Sequence, residues 1–165
     1  MTRPSWIPDA GRPLKAEEQA ELVEEMTAII DQSHLFRSLA PDGRHEVLES
    51  GYVTTFAPGE VLMKQGDEGD LMFLVMRGTV TVETESTPGK KLALAELGYG
   101  ACVGEVSVLT GSPRTATVTA KDEVVAVTFA KHRIERVLAK YPKVRAILES
   151  LIDARARDTI EKIIG

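Results

Sequence analysis

Cysteine and long apolar runs are scarce in this chain of 165 residues, which contains one cysteine. Because Cys102 has no second cysteine to pair with, the chain is not a disulfide scaffold, and we expect a reducing, cytoplasmic location. No apolar run approaches the roughly 18 residues that a membrane-spanning helix needs, and residues 1–11 lack the apolar core of a secretory signal. The sequence therefore predicts no membrane partner.

Positive charge is also in deficit, with 20 Lys and Arg residues against 25 Asp and Glu residues and a net charge of -5. Proteins that bind DNA through its phosphates usually carry the opposite excess, so we expect no DNA partner. Hydrophobic residues make up 43% and charged residues 27% of the chain, which is typical of an ordinary globular domain. The length suits one such domain.

The residue patterns of common enzymes are missing too. His34, His45 and His132 lie outside the region that reads as strands, whereas a metal-dependent jelly-roll enzyme needs clustered His and carboxylate ligands there. Ser107 and Ser112 have no histidine nearby in the sequence, and nothing resembles a nucleophile elbow. We therefore predict that the protein is not an enzyme and has no metal and no cofactor beyond a bound ligand.

Helical spacing appears at both ends of the chain and strand alternation in the middle. Residues 1–13 contain three prolines and read as a flexible lead-in. A helical pattern follows over 14–39, and a second short helix is expected after a turn at 41–43. Predicted strands, separated by Gly and Pro turns, then cover residues 61–63, 71–76, 79–83, 91–96, 116–120 and 123–129. Helical spacing returns after Phe129, first in a short stretch and then in a C-terminal helix that starts at Pro142. Many short strands without long interleaved helices favour a β-sandwich or jelly roll.

One segment, residues 103–118, interrupts the strand alternation and carries the chemistry. Gly104 can open a short helix, whose free N–H groups form a natural anion site. Arg114 supplies a planar fork of donors that matches a phosphate. Glu105 is suited to accept a hydrogen bond from a hydroxyl group. Phosphate and sugar hydroxyl together describe a nucleotide, although Glu105 and Arg114 could instead form a structural ion pair.

This segment closely resembles the phosphate-binding cassette of cyclic-nucleotide-binding domains of the catabolite activator and protein kinase A regulatory-subunit type. The matching positions are Gly104, Glu105, Ser107, Leu109, Pro113, Arg114 and Ala116. Turn residues upstream match in the same order, namely Phe56, residues 58–60, Gly66, Asp67, Gly69, Asp70 and Gly78. The resemblance extends from Leu35 to Leu151. Val103 stands where the family usually has Phe, Ala101 where Asp is common, and Ser107 where Ala is commoner.

The resemblance implies a role for each residue of the cassette. Glu105 would accept a hydrogen bond from the ribose 2′-hydroxyl, and Arg114 would pair with the exocyclic phosphate oxygens. The backbone N–H groups of Val106 and Ser107 would complete the cradle. Thr115 stands where a Thr in this family can bind the guanine amino group, yet it also occurs in domains that bind cAMP. The expected ligand is therefore cAMP or cGMP, with cAMP favoured as the more widespread of the two.

The resemblance also implies the fold and the domain plan. We expect a mainly β domain with flanking helices, an antiparallel jelly-roll β-barrel that carries a short inserted phosphate-binding helix. The single domain would span 14–165, with N-terminal helices over 14–55, the β-roll over 56–130 and a two-helix C-terminal lid over 131–165. Arg155 or Arg157 of this lid would contact the base, unless both belong to a solvated stripe of charge.

The expected function is that of a receptor module whose C-terminal helix moves when the nucleotide binds. No DNA-binding, kinase or channel segment is recognisable, so we expect a protein partner, self-association through the helices or a fused domain outside this chain. The alternative is a ligand-independent scaffold or interaction domain that keeps the β-roll. A jelly-roll enzyme is a further alternative, which the missing metal and nucleophile patterns oppose.

Overall fold

A computed structural model describes residues 16–29, 36, 39–143 and 145–146. In chain order its elements are α1 (Ala16–Ile29), α2 (Pro41–Glu49), β1 (Tyr52–Phe56), β2 (Val61–Met63), β3 (Leu71–Arg77), β4 (Val80–Thr87), β5 (Lys90–Leu97), β6 (Cys102–Val103), α3 (Glu105–Thr110), β7 (Thr117–Ala120), β8 (Val124–Ala130) and α4 (Lys131–Leu138). The strands form two four-stranded antiparallel sheets, with the orders β1-β8-β3-β6 and β2-β7-β4-β5. The predicted mainly β roll with flanking helices is confirmed.

Both faces of the first sheet are covered at its centre, which explains the continuous apolar sequences of β3 and β8. Met72 and Leu74 of β3 belong to a core cluster shared with the helices. Phe73 and Val75 alternate with them and belong to a second cluster, shared with Val80 and other residues of the second sheet. A strand buried on both faces has no polar positions, so its sequence loses the alternation seen in half-buried strands.

The helices pack against the outer face of the first sheet. From α4, Ile134, Val137 and Leu138 are buried, which accounts for the helical spacing of apolar residues after Phe129. Phe36 packs edge-on against Phe129 with ring centroids 5.6 Å apart. These contacts place α4 and Phe36 in the same core cluster as Phe129 of β8.

Two boundaries differ from the sequence predictions. The helix α2 begins at Pro41 itself, so residues 41–43 are its first turn and not a preceding turn. Proline is tolerated there because its missing N–H would have no partner within the helix. Strand β1 begins at Tyr52, inside the 14–55 segment expected to be helical, so the β-roll starts before residue 56. Its sequence, YVTTF, is rich in the β-branched and aromatic residues that favour strands.

The edge strand β5 does not keep the single apolar face that its alternating sequence predicts. Ala95 pairs with Val82 and Ala93 pairs with Glu83, so Leu94 is the extra residue of a β-bulge. A bulge shifts the alternation between the two faces by one residue. Most of β5 is therefore exposed, and Leu92 is 43% exposed.

The C-terminal region is described only as far as residue 146, with helical geometry at 142–143 and 145–146. The predicted lid contacts, Arg155 and Arg157, lie outside the described residues, as does the lead-in at 1–13. Within the described part of the chain, no helix is long and apolar enough to cross a membrane.

Candidate functional site

A short helix, α3, follows Gly104 at the place predicted from the sequence. Gly104 is its N-cap and adopts a left-handed conformation with φ of 88°. Gly111 ends the helix in the same conformation, and its N–H donates to the carbonyl of Ser107 at 2.9 Å. Such a tight insertion between β6 and β7 needs glycine at both ends, because other residues rarely adopt positive φ.

Gly104 is also required by its neighbours. A Cβ on Gly104 would lie 2.6 Å from Nη1 of Arg114 and 2.8 Å from the carbonyl oxygen of Leu71. Neither position leaves room for a methyl group. The absence of a side chain at residue 104 thus allows the arginine to lie directly against the start of α3.

Arg114 is buried, with 6% of its surface exposed. Its Nη1 donates to the carbonyl of Gly104 at 3.2 Å, and its Nη2 donates to the carbonyl of Leu71 at 2.6 Å. A guanidinium has five N–H donors, two on each terminal nitrogen. Each terminal nitrogen therefore donates one of its two N–H groups to a backbone carbonyl and has a second N–H group as well.

Opposing influences act on the charge of Arg114. Burial lowers the pKa of its guanidinium below the ordinary value, and the nearby carboxylates of Asp70 and Asp67 offset only part of this effect. Arginine keeps its charge in proteins at neutral pH, so a cation is held in a nearly closed setting. A buried cation needs compensating groups, and carbonyl oxygens and carboxylates supply them here.

The turn at residues 66–70 holds Arg114 through its backbone. The N–H of Arg114 donates to the carbonyl of Asp67 at 2.8 Å, and the N–H of Gly66 donates to the carbonyl of Arg114 at 2.9 Å. Gly69 packs against the side chain, since a Cβ there would lie 2.8 Å from Cζ of Arg114 and would overlap Ser107. The sequence marks these residues only as turn positions that match the family, and their contact with Arg114 depends on the fold.

The other predicted site residues lie around the same helix. Glu105 and Ser107 are buried, with 8% and 3% of their surface exposed. Thr115 is exposed, and its carbonyl accepts a hydrogen bond from Oγ1 of buried Thr84 at 3.3 Å. Val106 lies in α3, where the structure describes its backbone. The fold thus brings Arg114 against Gly104 and, at Gly69, close to Ser107, with Thr115 next to Arg114 in the chain.

A pocket of about 430 Å³ lies beside the cassette, with Gly66, Thr84 and Thr117 in its lining. Glu105 and Arg114 do not line it. The pocket therefore meets the cassette at Thr117 and does not include the buried arginine. Among the described residues, no group of three His, Cys, Asp or Glu side chains could hold a metal ion.

Comparison with known proteins places this geometry in a family. The family model for the cyclic nucleotide-binding domain matches residues 53–141. Lysophospholipase nte1 of Aspergillus fumigatus is 36% identical over 105 residues, which cover 63% of this chain and 7% of that protein. The N-terminal domain of a transcriptional regulator from Streptomyces coelicolor A3(2) is 30% identical with a TM-score of 0.62, and the match covers 81% of this chain and 95% of that one.

A third similar protein is the regulatory domain of Toxoplasma gondii PKA in a co-crystal structure with cAMP. It has a TM-score of 0.70 at 17% identity, and the match covers 88% of this chain and 53% of that chain. The chain spans a small fraction of the lysophospholipase and about half of the PKA domain, so the likeness concerns one shared unit. The family model covers more than half of the chain. The resemblance seen in the sequence is thereby confirmed, and the chain belongs to the cyclic nucleotide-binding domain family.

Proposed function

We propose that this protein is a non-enzymatic receptor module that binds cAMP or cGMP in the cassette formed by residues 103–118. The observation that carries the proposal is the buried guanidinium of Arg114. It donates hydrogen bonds to the carbonyls of Gly104, the N-cap of α3, and of Leu71. A cation placed in this way is suited to an anion that arrives from outside.

The cassette offers complementary groups for each part of the ligand. The second N–H on each terminal nitrogen of Arg114 would donate to the exocyclic phosphate oxygens. The backbone N–H groups of Val106 and Ser107 would donate to the same phosphate. Glu105 would accept a hydrogen bond from the ribose 2′-hydroxyl. A linear monophosphate brings additional charge and an additional hydroxyl, both costly in a buried site that does not match them.

The choice between the two purines depends on the surroundings of Thr115. Its side chain is exposed and follows Arg114 directly, and by the family resemblance its hydroxyl would bind a guanine amino group. The cAMP present in the Toxoplasma gondii PKA structure, which shares the fold, favours cAMP. We therefore keep both ligands, with cAMP as the first to test.

Signalling would occur through the C-terminal helices. The N–H of Lys131, the first residue of α4, donates to the carbonyl of Asp70 at 2.8 Å. Asp70 is the carboxylate with the largest effect on the pKa of Arg114. A ligand that changes the charge around Arg114 would thus act one hydrogen bond away from α4 and shift the population of helix positions. The recipient would be a protein partner or a second copy of this chain.

The test is a thermal melt of the full chain with cAMP, cGMP and 5′-AMP in separate samples. A ligand at a hundred times its Kd should stabilise the protein by about 2.7 kcal/mol, or roughly 5–10 °C for a chain of this size. A shift with a cyclic nucleotide and none with 5′-AMP supports the proposal. If neither cyclic nucleotide shifts the melt, the protein is a ligand-independent scaffold that keeps the roll.

A further inference from the structure

The second sheet has a gap beside the cassette. Strand β7 lies between β2 and β4, and its first residue, Thr117, pairs with Glu83. The residues before Thr117, from Arg114 to Ala116, are not part of the sheet. Two residues further along β4, Glu85 pairs with Lys91 of β5 on one side and no longer has β7 on the other.

The side chain of Gln65 bridges this gap with two hydrogen bonds to Glu85. Its Nε2 donates to the carbonyl of Glu85 at 3.1 Å, and its Oε1 accepts from the N–H of Glu85 at 2.7 Å. Two such reciprocal bonds reproduce the exchange between directly opposite residues of antiparallel strands. The side-chain amide of Gln65 therefore replaces a backbone hydrogen-bonded pair and connects the segment after β2 to β4.

The residues next to this amide hold the cassette. The N–H of Gln65 donates to Oγ1 of Thr117 at 3.0 Å. The N–H of Gly66 and the carbonyl of Asp67 bond to the carbonyl and the N–H of Arg114, at 2.9 and 2.8 Å. Both backbone groups of Arg114 thus depend on a turn that Gln65 ties to β4.

We infer that Gln65 is a positioning residue for Arg114, which it holds in register with β4 through the turn at residues 65–67. The consequence for ligand binding rests on the proposed function. The geometry of the turn does not, because its hydrogen bonds can be followed without any ligand. Without the amide, the guanidinium of Arg114 keeps its own contacts and the N–H of Gln65 keeps its bond to Thr117, but the turn loses its connection to β4.

The experiment compares Gln65→Ala and Gln65→Met in the full chain, with Gln19→Ala as the matched control. Gln19 makes the same kind of bond, from Nε2 to the carbonyl of Glu49 at 3.1 Å, but between α1 and α2. Gln65→Met keeps the length and the aliphatic stem of the side chain, so it serves if the alanine variant folds poorly. Amide hydrogen exchange and cAMP and cGMP affinity are measured on each variant.

We expect faster exchange in the Gln65 variants at the N–H of Glu85 and also at the N–H of Arg114, which Gln65 does not contact. Affinity for the cyclic nucleotide should fall roughly tenfold, because a displaced binding group loses its alignment. The Gln19 variant should change neither quantity. Unchanged exchange at Arg114, or faster exchange there with unchanged affinity, would overturn the inference. If the unmodified protein binds no cyclic nucleotide, the proposed function fails, and exchange at Arg114 still decides whether Gln65 positions it.

Discussion

Gly69 and Arg114 are packed so closely that a Cβ on Gly69 would stand 2.8 Å from Cζ of the guanidinium. We therefore expect Gly69→Ala to push Arg114 out of place and to crowd Ser107 as well. Overpacking of this kind typically costs about 1–3 kcal/mol. The variant should melt at a lower temperature and bind the cyclic nucleotide more weakly, as thermal melts and titration calorimetry would measure.

Gly98→Ala is the matched control for this change. Among the residues that the structure describes, only the carbonyl oxygen of Gly78, at 3.7 Å, would lie within 4 Å of a Cβ on Gly98. The control should keep the affinity of the unmodified protein. Equal affinities in the two variants would contradict the assigned role of Gly69.

Substitution of Arg114 tests the cassette directly. Arg114→Ala should lose on the order of 2–5 kcal/mol of cyclic nucleotide binding, because the phosphate would lack its charged partner in a buried site. Arg114→Lys retains the positive charge without the planar fork, so its affinity should lie between the other two. Titration calorimetry gives the affinities of the unmodified protein and of both variants. An unchanged affinity in Arg114→Ala would refute the cassette assignment.

Thr115→Ala tests the choice of purine. Removal of the hydroxyl should weaken cGMP more than cAMP, since only guanine carries the amino group that this side chain would meet. The ratio of the two affinities, measured by competition with a labelled nucleotide, is the relevant quantity. An equal loss for both ligands would show that Thr115 does not contribute to selectivity.

The surroundings of Tyr99 predict that the folded protein loses stability in alkaline solution. The pKa of the Tyr99 phenol is raised above the ordinary value of 10.0, mainly by partial burial. Smaller contributions come from the hydrogen bond that it donates to Oε1 of Glu25 at 2.9 Å and from the charge of that carboxylate. A raised folded-state pKa means that the contribution to stability is complete below pH 10 and is lost as pH rises through the folded pKa.

The comparison is between the unmodified protein and Tyr99→Phe over pH 8 to 11. Tyr99 is 53% exposed, so the effect on unfolding should stay below about 1 kcal/mol at pH 8. The phenylalanine variant should lose less stability above pH 10, as followed by melting temperature. Parallel curves for the two proteins would exclude Tyr99 as the source of the alkaline loss.

Much of the site could be predicted from the sequence because its determinants are local. Gly104 and Arg114 are separated by ten positions, and the fragment between them follows a known pattern with one short helix. The alternation of 79–83 likewise predicts the first half of β4, whose two buried residues, Val80 and Thr84, lie on the same face.

Other features could not be predicted because they depend on contacts between distant segments. Asp70 influences Arg114 only once β3 lies beside β6 and α3. The bulge at Leu94 depends on how β4 and β5 meet, and the alternating sequence of β5 shows no sign of it. The early start of β1 at Tyr52 is indicated only by its β-branched and aromatic residues, because an exposed edge strand carries little periodicity.

The pairing of β1 with β8 determines when the roll can be completed during synthesis. Oγ1 of Thr54 and Oγ1 of Thr128 lie 2.9 Å apart across 74 residues of sequence. The first strand must therefore wait on the ribosome until the last has emerged, which takes several seconds at about 5–20 residues per second. Until β8 has emerged, the apolar side chains of β3 are only partly buried. During this interval the chain can aggregate or be bound by chaperones.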